Sequence, residues 1–136
     1  MLFRSLQQRM ATAAKQIGVA VSIENDPDGK VAQTIIAQLT GLGFVVAPGD
    51  AFLQVRGSVA MEETDLGSKG TFFVRYVMKL DMVDAYGKTV AALSEQGREG
   101  HISLNEAANR CTRSMTGAVE RQLVNKVFNY FDRLLM

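Results

Sequence analysis

The 136-residue sequence predicts an α+β fold: a two-layer sandwich whose mixed, mostly antiparallel sheet of about five strands carries helices on one face and is followed by a long C-terminal helix. Three observations predict it. Apolar residues recur at helical spacing near both ends and again over residues 31–42. Between residues 52 and 96 they alternate with polar ones, and short turns marked by Gly or Pro separate the segments. With 47% hydrophobic residues, 21% charged and 2 Pro, the chain reads as a single domain over residues 1–136, its N-terminal helix lying at the periphery.

Leu6, Met10, Ala13, Ala14 and Ile17 form one stripe, with Gln7, Gln8, Arg9 and Lys15 on other faces, so residues 2–17 read as an amphipathic helix stopped by Gly18. Val19 to Ile23 is a β-branched run that enters the turn Asn25-Asp26-Pro27-Asp28-Gly29 and reads as a strand. Val31, Ile35, Ile36, Leu39 and Leu42 mark a second helix closed by Gly41 and Gly43. Phe44 to Ala47 is a short strand ended by Pro48-Gly49-Asp50.

From here the period changes to two. Leu53, Val55, Val59 and Met61 share one face of a half-buried strand, with Gln54, Arg56, Ser58 and Glu62 on the other. After a polar turn over residues 65–70, Phe72, Val74, Tyr76, Met78, Leu80 and Met82 alternate with Phe73, Arg75, Val77, Lys79, Asp81 and Val83. Asp84-Ala85-Tyr86-Gly87-Lys88 is a tight hairpin with Gly87 at a positive φ, and residues from Thr89 to about Gln96 return as the partner strand. Ser103-Leu104-Asn105-Glu106 fits a capping box. An apolar stripe through Leu104, Ala108, Cys111, Met115, Leu123, Val127, Phe131 and Leu134 then makes the last element a long helix, with Gly117 its expected kink. The order is α-β-α-β-β-β-β-α, with one crossover unit first and antiparallel hairpins later.

Lys and Arg total 15 against 14 Asp and Glu, a formal net charge of +1, so no overall field draws the chain to nucleic acid or an anionic membrane. One Cys and one His exclude an internal disulfide framework and a zinc site built on several such ligands. Arg4, Gln7, Gln8 and Arg9 interrupt any signal-peptide apolar region, and no stretch approaches the roughly 20 apolar residues of a membrane span. Cys111 sits too deep in the chain to anchor a lipid. The compartment is left open between the cytosol and an envelope site reached through a leader that this sequence does not contain.

No reactive centre emerges, and no catalytic, cofactor or metal residue is assigned. His101 and Cys111 are the one thiol–imidazole combination, but Cys111 falls on the apolar stripe and His101 beside a helix cap. Residues 24–29 imitate half of a calcium loop; Ile35 stands where the bidentate carboxylate belongs, so the turn is read as a helix cap. Gly97-Arg98-Glu99-Gly100 has the glycine spacing of the loop with which KH domains clamp nucleic acid, yet a strand precedes it and Glu99 would meet phosphate. Nucleic acid is not expected as a partner.

The helix ending Leu39-Thr40-Gly41-Leu42-Gly43-Phe44-Val45-Val46, the strand Ala51 to Val59, the long strand closing on Asp84 to Ala91 and the Ser-capped helix with Glu106-Ala107-Ala108 form a layout. From about Val31 onward it resembles bacterial cell-envelope domains, namely outer-membrane lipoproteins, the CsgG-type curli-secretion protein, the TolB N-terminal domain and penicillin-binding-protein activators. The resemblance covers about three quarters of the chain. It implies a non-catalytic assembly or protein-binding role in the periplasm or at the outer membrane, with a protein partner or a second copy as the ligand. The residues expected to carry it are Arg56, Phe73, Arg75, Val77 and Lys79 on the open sheet face, and Phe128 and Tyr130 on the last helix. The competing expectation is an intracellular enzyme or small-ligand protein with a pocket near His101 and Cys111.

Overall fold

The computed structural model describes residues 18–46, 51–64 and 70–135. The expected first helix, the turn at residues 48–50 and most of the turn at 65–70 lie outside the described residues. Strand β1 (Gly18–Glu24) leads through a 3₁₀ turn (Pro27–Gly29) into helix α1 (Lys30–Gly41) and the two-residue strand β2 (Val45–Val46). Strands β3 (Leu53–Thr64), β4 (Phe72–Asp84) and β5 (Thr89–His101) follow, and helix α2 (Leu104–Leu135) closes the chain.

The five strands form one sheet in the order β2-β1-β3-β4-β5. β1 pairs parallel with both β2 and β3, whereas β3-β4 and β4-β5 are antiparallel. This is the mixed α+β sandwich that the change of period predicts. A parallel pair requires a crossover, which α1 supplies; the antiparallel pairs need only turns.

Local chemistry explains the element boundaries. The turn before α1 caps the helix as expected, but through Asp26: its Oδ1 accepts from Val31 N at 2.9 Å and its Oδ2 from Ala32 N at 2.8 Å. Asp28 instead sits at φ 54° within the turn. At the β4-β5 hairpin, Gly87 takes φ 83°, and Asp84 Oδ1 accepts from Tyr86 N and Lys88 N at 2.9 and 3.0 Å. Half of the capping box at α2 forms. Ser103 Oγ accepts from Glu106 N at 3.3 Å, while the Glu106 carboxylate turns to Arg113 Nη2 at 2.8 Å and Ser103 N donates to His101 Nδ1 at 3.0 Å. Arg113 thereby holds the Glu106 carboxyl below its ordinary range. Helix α2 runs unbroken through Gly117, so the expected kink does not divide it.

Both helices pack on the same side of the sheet. Val31, Ile35 and Leu39 of α1 and Cys111, Met115, Val119, Leu123, Val127 and Phe131 of α2 meet Val19, Leu53, Val55, Val59, Met78 and Leu80 in one core. Phe131 is fully buried, 5.5 Å from the ring of Phe44 and edge-on to Tyr130 at 5.1 Å. These contacts tie the end of α2 to the β2 edge of the sheet. Aromatic pairs of this kind add about 1 kcal/mol beyond the area they bury.

A candidate interaction face on the open side of the sheet

Strand alternation fixes which residues look away from the helices. Val74, Tyr76, Met78, Leu80 and Met82 of β4 are buried on the helix side, so Phe73, Arg75, Val77, Lys79 and Asp81 project from the opposite face. The register places Arg56 opposite Asp81, Ser58 opposite Lys79 and Glu62 opposite Arg75 on the β3 side. On the β5 side Ser94 stands opposite Lys79, Gln96 opposite Val77 and Arg98 opposite Arg75. The structure therefore gathers Arg56, Phe73, Arg75, Val77 and Lys79 on one face, as the period of two implies. Arg56, Arg75 and Lys79 are exposed, while Phe73 and Val77 are half-buried.

Arg98 joins them, and reading the chain from sequence missed it. β5 runs on to His101, beyond the expected end near Gln96, so residues 97–100 are strand and not a loop. The loop that the glycine spacing imitates is therefore not formed at these residues. Gly97 and Gly100 face aromatic partners across the ladder, Tyr76 and Phe73. A Cβ at Gly100 would lie 2.6 Å from the Phe73 ring. The glycines serve close packing, and the signal that identifies them is their register opposite two aromatics.

Two arginines opposed across antiparallel strands repel. Among the described residues the sole ion pair within 4 Å is Arg113–Glu106, so no described carboxylate pairs with Arg75 or Arg98 at contact distance. The Arg98 guanidinium instead lies 4.9 Å from the centre of the Phe73 ring, a cation–π arrangement. Arg56 Nε donates to Gln54 Oε1 at 2.7 Å, and its Nη2 donates to the same oxygen. Arg75, Val77, Gln96 and Arg98 border a shallow open depression floored by Tyr76 and Gly97. Val83, expected on this face, is 5% exposed and adjoins the register shift between Met82 and Val83.

The other expected residues are placed differently. Tyr130 is buried at 8% exposure, and Phe128 is partly buried against the core. Exposed large apolar side chains include Phe72, Ile102 and Leu104 near the start of α2, and others are scattered, Tyr86 at the β4-β5 hairpin being the most exposed.

The thiol and the imidazole each bond to the backbone. Cys111 is fully buried, and its Sγ lies 3.4 Å from Val74 O, which accepts the thiol hydrogen. Burial pushes the thiol above its ordinary value of 9.0, with the charge of Glu99 adding to the shift. An activated cysteine requires the opposite displacement. His101 Nδ1 is occupied by Ser103 N. In the calcium-like turn both Asp26 oxygens are taken by the backbone of α1. Among the described residues no group of three or more His, Cys, Asp or Glu is placed to hold a metal, and no helix is long and apolar enough to cross a membrane.

The chain is similar in fold to several solved structures, among them bacterial lipoproteins. The chain is similar in structure to a Xanthomonas campestris protein of the DUF330 family, with TM-score 0.58 and 10% identity over 87% of this chain and 88% of that one. It is also similar to a minor lipoprotein of Acinetobacter baumannii, with TM-score 0.52 and 10% identity over 87% and 90%. The lipoprotein GNA1162 of Neisseria meningitidis gives TM-score 0.51 and 17% identity over 82% and 98%. The lipoprotein-like layout inferred from sequence is borne out at the level of fold. No protein-family model matches the chain, and no curated protein matches it in sequence.

Proposed function

We propose that the protein is a non-catalytic interaction domain of the bacterial cell envelope, acting in the periplasm or at the outer membrane. It docks a protein partner on the open sheet face around Arg56, Phe73, Arg75, Val77 and Lys79. The observation that carries this reading is the Arg75–Arg98 pair. Two arginines are opposed in the β4–β5 register, the Arg98 guanidinium resting over the Phe73 ring, beside half-buried Val77 and Phe73, with both helices on the other side of the sheet. Like charges so placed lower stability, and a partner that brings a carboxylate between them recovers that loss while covering the adjoining apolar surface. The lipoprotein-like fold supports the envelope location.

The test is site-specific photo-cross-linking from position 77 in the native bacterial host, with and without Arg75→Glu and Lys79→Glu together. Cross-links to a discrete envelope protein that vanish in the double variant, with the melting temperature nearly unchanged, are the expected result. A face that yields no adduct, or adducts indifferent to the charge reversal, removes it from consideration. Turnover of a small substrate that is abolished by replacing His101 or Cys111 would overturn the non-catalytic reading.

A further inference from the structure

Val45, Phe52, Tyr86 and Leu134 belong to separate segments, yet the strand registers bring them to one end of the sheet. Gly18 stands beside Val45, Val19 beside Leu53, and Leu53 beside Asp84, so one line across the strands joins the start of β1 to the β4-β5 hairpin. Val45 is 55% exposed, Phe52 39% and Tyr86 94%. Every residue from Ala85 to Thr89 is exposed, so the hairpin tip stands in solvent. Helix α2 ends here as well: Arg133 and Leu134, the latter 49% exposed, line one cleft with Lys88 and Val90.

We infer that this end of the domain rests on an anionic lipid surface, with Tyr86 in the headgroup region and Lys88 and Arg133 against lipid phosphates. A tyrosine has an apolar body and a polar tip, which suits it to the boundary between acyl chains and water. Cations beside an anionic leaflet are drawn to it over about a Debye length, and the cleft sets Lys88 and Arg133 at one opening. Two described acids lie nearby. Asp84 is half-buried, and its Oδ1 is taken by Tyr86 N and Lys88 N; Asp132 is exposed one residue before Arg133. The net charge of the whole chain is only +1, so the attraction is local. Before Gly18 the sequence holds Arg4, Arg9 and Lys15 and no Asp or Glu, and that segment joins β1 at this same end. The inference takes from the proposed function only its envelope location and uses none of the outer-face residues.

The experiment is flotation of the full chain with vesicles of mixed phosphatidylglycerol and phosphatidylcholine, and with phosphatidylcholine alone. Binding to the mixed vesicles is expected, weaker on the neutral ones. It should fall about twentyfold in Lys88→Gln/Arg133→Gln, from about fivefold for each cation at an anionic surface, and stay unchanged in the Arg75→Glu/Lys79→Glu pair. Lys88 and Arg133 are both exposed, so melting temperature should hold in the neutralised pair. The sequence has no Trp, which makes Tyr86→Trp a single indole reporter. Its emission should shift to the blue on binding and be quenched by brominated acyl chains. A wild type that does not float with the mixed vesicles overturns the inference, as does binding with the indole unquenched or with the neutralised pair bound as tightly as the wild type. A dimer that forms without vesicles and is lost in Tyr86→Ser gives this end to a second copy and overturns it equally. Loss of the partner cross-links with vesicle binding intact sinks the outer-face reading alone.

Discussion

The phenol of Tyr76 on β4 lies across Gly97, its partner on β5, so closely that a Cβ at residue 97 would come within 2.7 Å of the hydroxyl oxygen. A side chain at residue 97 would push this ring out of the core side of the sheet, where Tyr76 is 5% exposed. Gly100 makes the matching accommodation for Phe73 on the other face. Two glycines spaced three apart on one strand thus let two aromatics from the next strand cross over it, one inward and one outward. The outward ring is the surface on which Arg98 rests.

Gly97→Ala is therefore expected to destabilise the protein by about 1–3 kcal/mol, the usual range for an added methylene in a packed site. Chemical denaturation checks it. Gly97→Ala combined with Tyr76→Phe should lose less than Gly97→Ala alone, because the nearest obstructing atom is the hydroxyl; equal losses would show that the ring itself is the obstacle.

Asp26 satisfies two backbone donors at the start of α1. Asp26→Ala should lower stability by about 1–2 kcal/mol, and Asp26→Asn, which keeps one acceptor, by less. Asp28→Ala serves as the comparison and should change stability by much less, since the bonds to Val31 and Ala32 belong to Asp26.

Alkaline stability follows from groups held neutral. Burial raises Cys111 from its ordinary 9.0 and raises Tyr76 and Tyr130 from 10.0. In each case the folded state keeps a proton that the unfolded chain gives up earlier, so the contribution is complete below the unfolded value and is lost as pH climbs toward the folded one. Melting temperature should hold level up to about pH 9 and then fall. Cys111→Ala should delay the onset, and an unchanged onset would assign the fall to the tyrosines.

The same burial makes the thiol inert. Iodoacetamide at neutral pH should label Cys111 only in denaturant, with native labelling slower by orders of magnitude. Rapid labelling of the native protein would reopen the enzyme reading.

Removing the ring that joins α2 to Phe44 is expected to be the most damaging single truncation. Phe131→Ala should destabilise by about 3–5 kcal/mol, while Leu134→Ala, at a position 49% exposed, should change little. Thermal melts of the two variants distinguish them.

Much of this architecture was legible because its periods are clean. The alternation through β4 told inward from outward residues one by one, and Ser103 announced the start of α2. The turn of residues 25–29 was read as a cap, yet two acidic residues competed for the role, and backbone geometry chose Asp26. β5 was read short because Gly97 and Gly100 interrupt an apolar pattern, and their purpose lies in Tyr76 and Phe73 on another strand. Arg98 was hidden for the same reason. Tyr130 was expected to serve an interaction, yet it is buried with its ring edge-on to Phe131. Cross-strand registers of this kind are not local properties, so no window of sequence contains them.

The position of β1 between β2 and β3 has a consequence for biosynthesis. Val19 pairs with both Val46 and Leu53, so β1 completes its two ladders only once the chain has grown past Leu53. The β3-β4-β5 meander is contiguous and closes through short connections. β1 therefore gains its second ladder only after β3 has been made, later than its own synthesis.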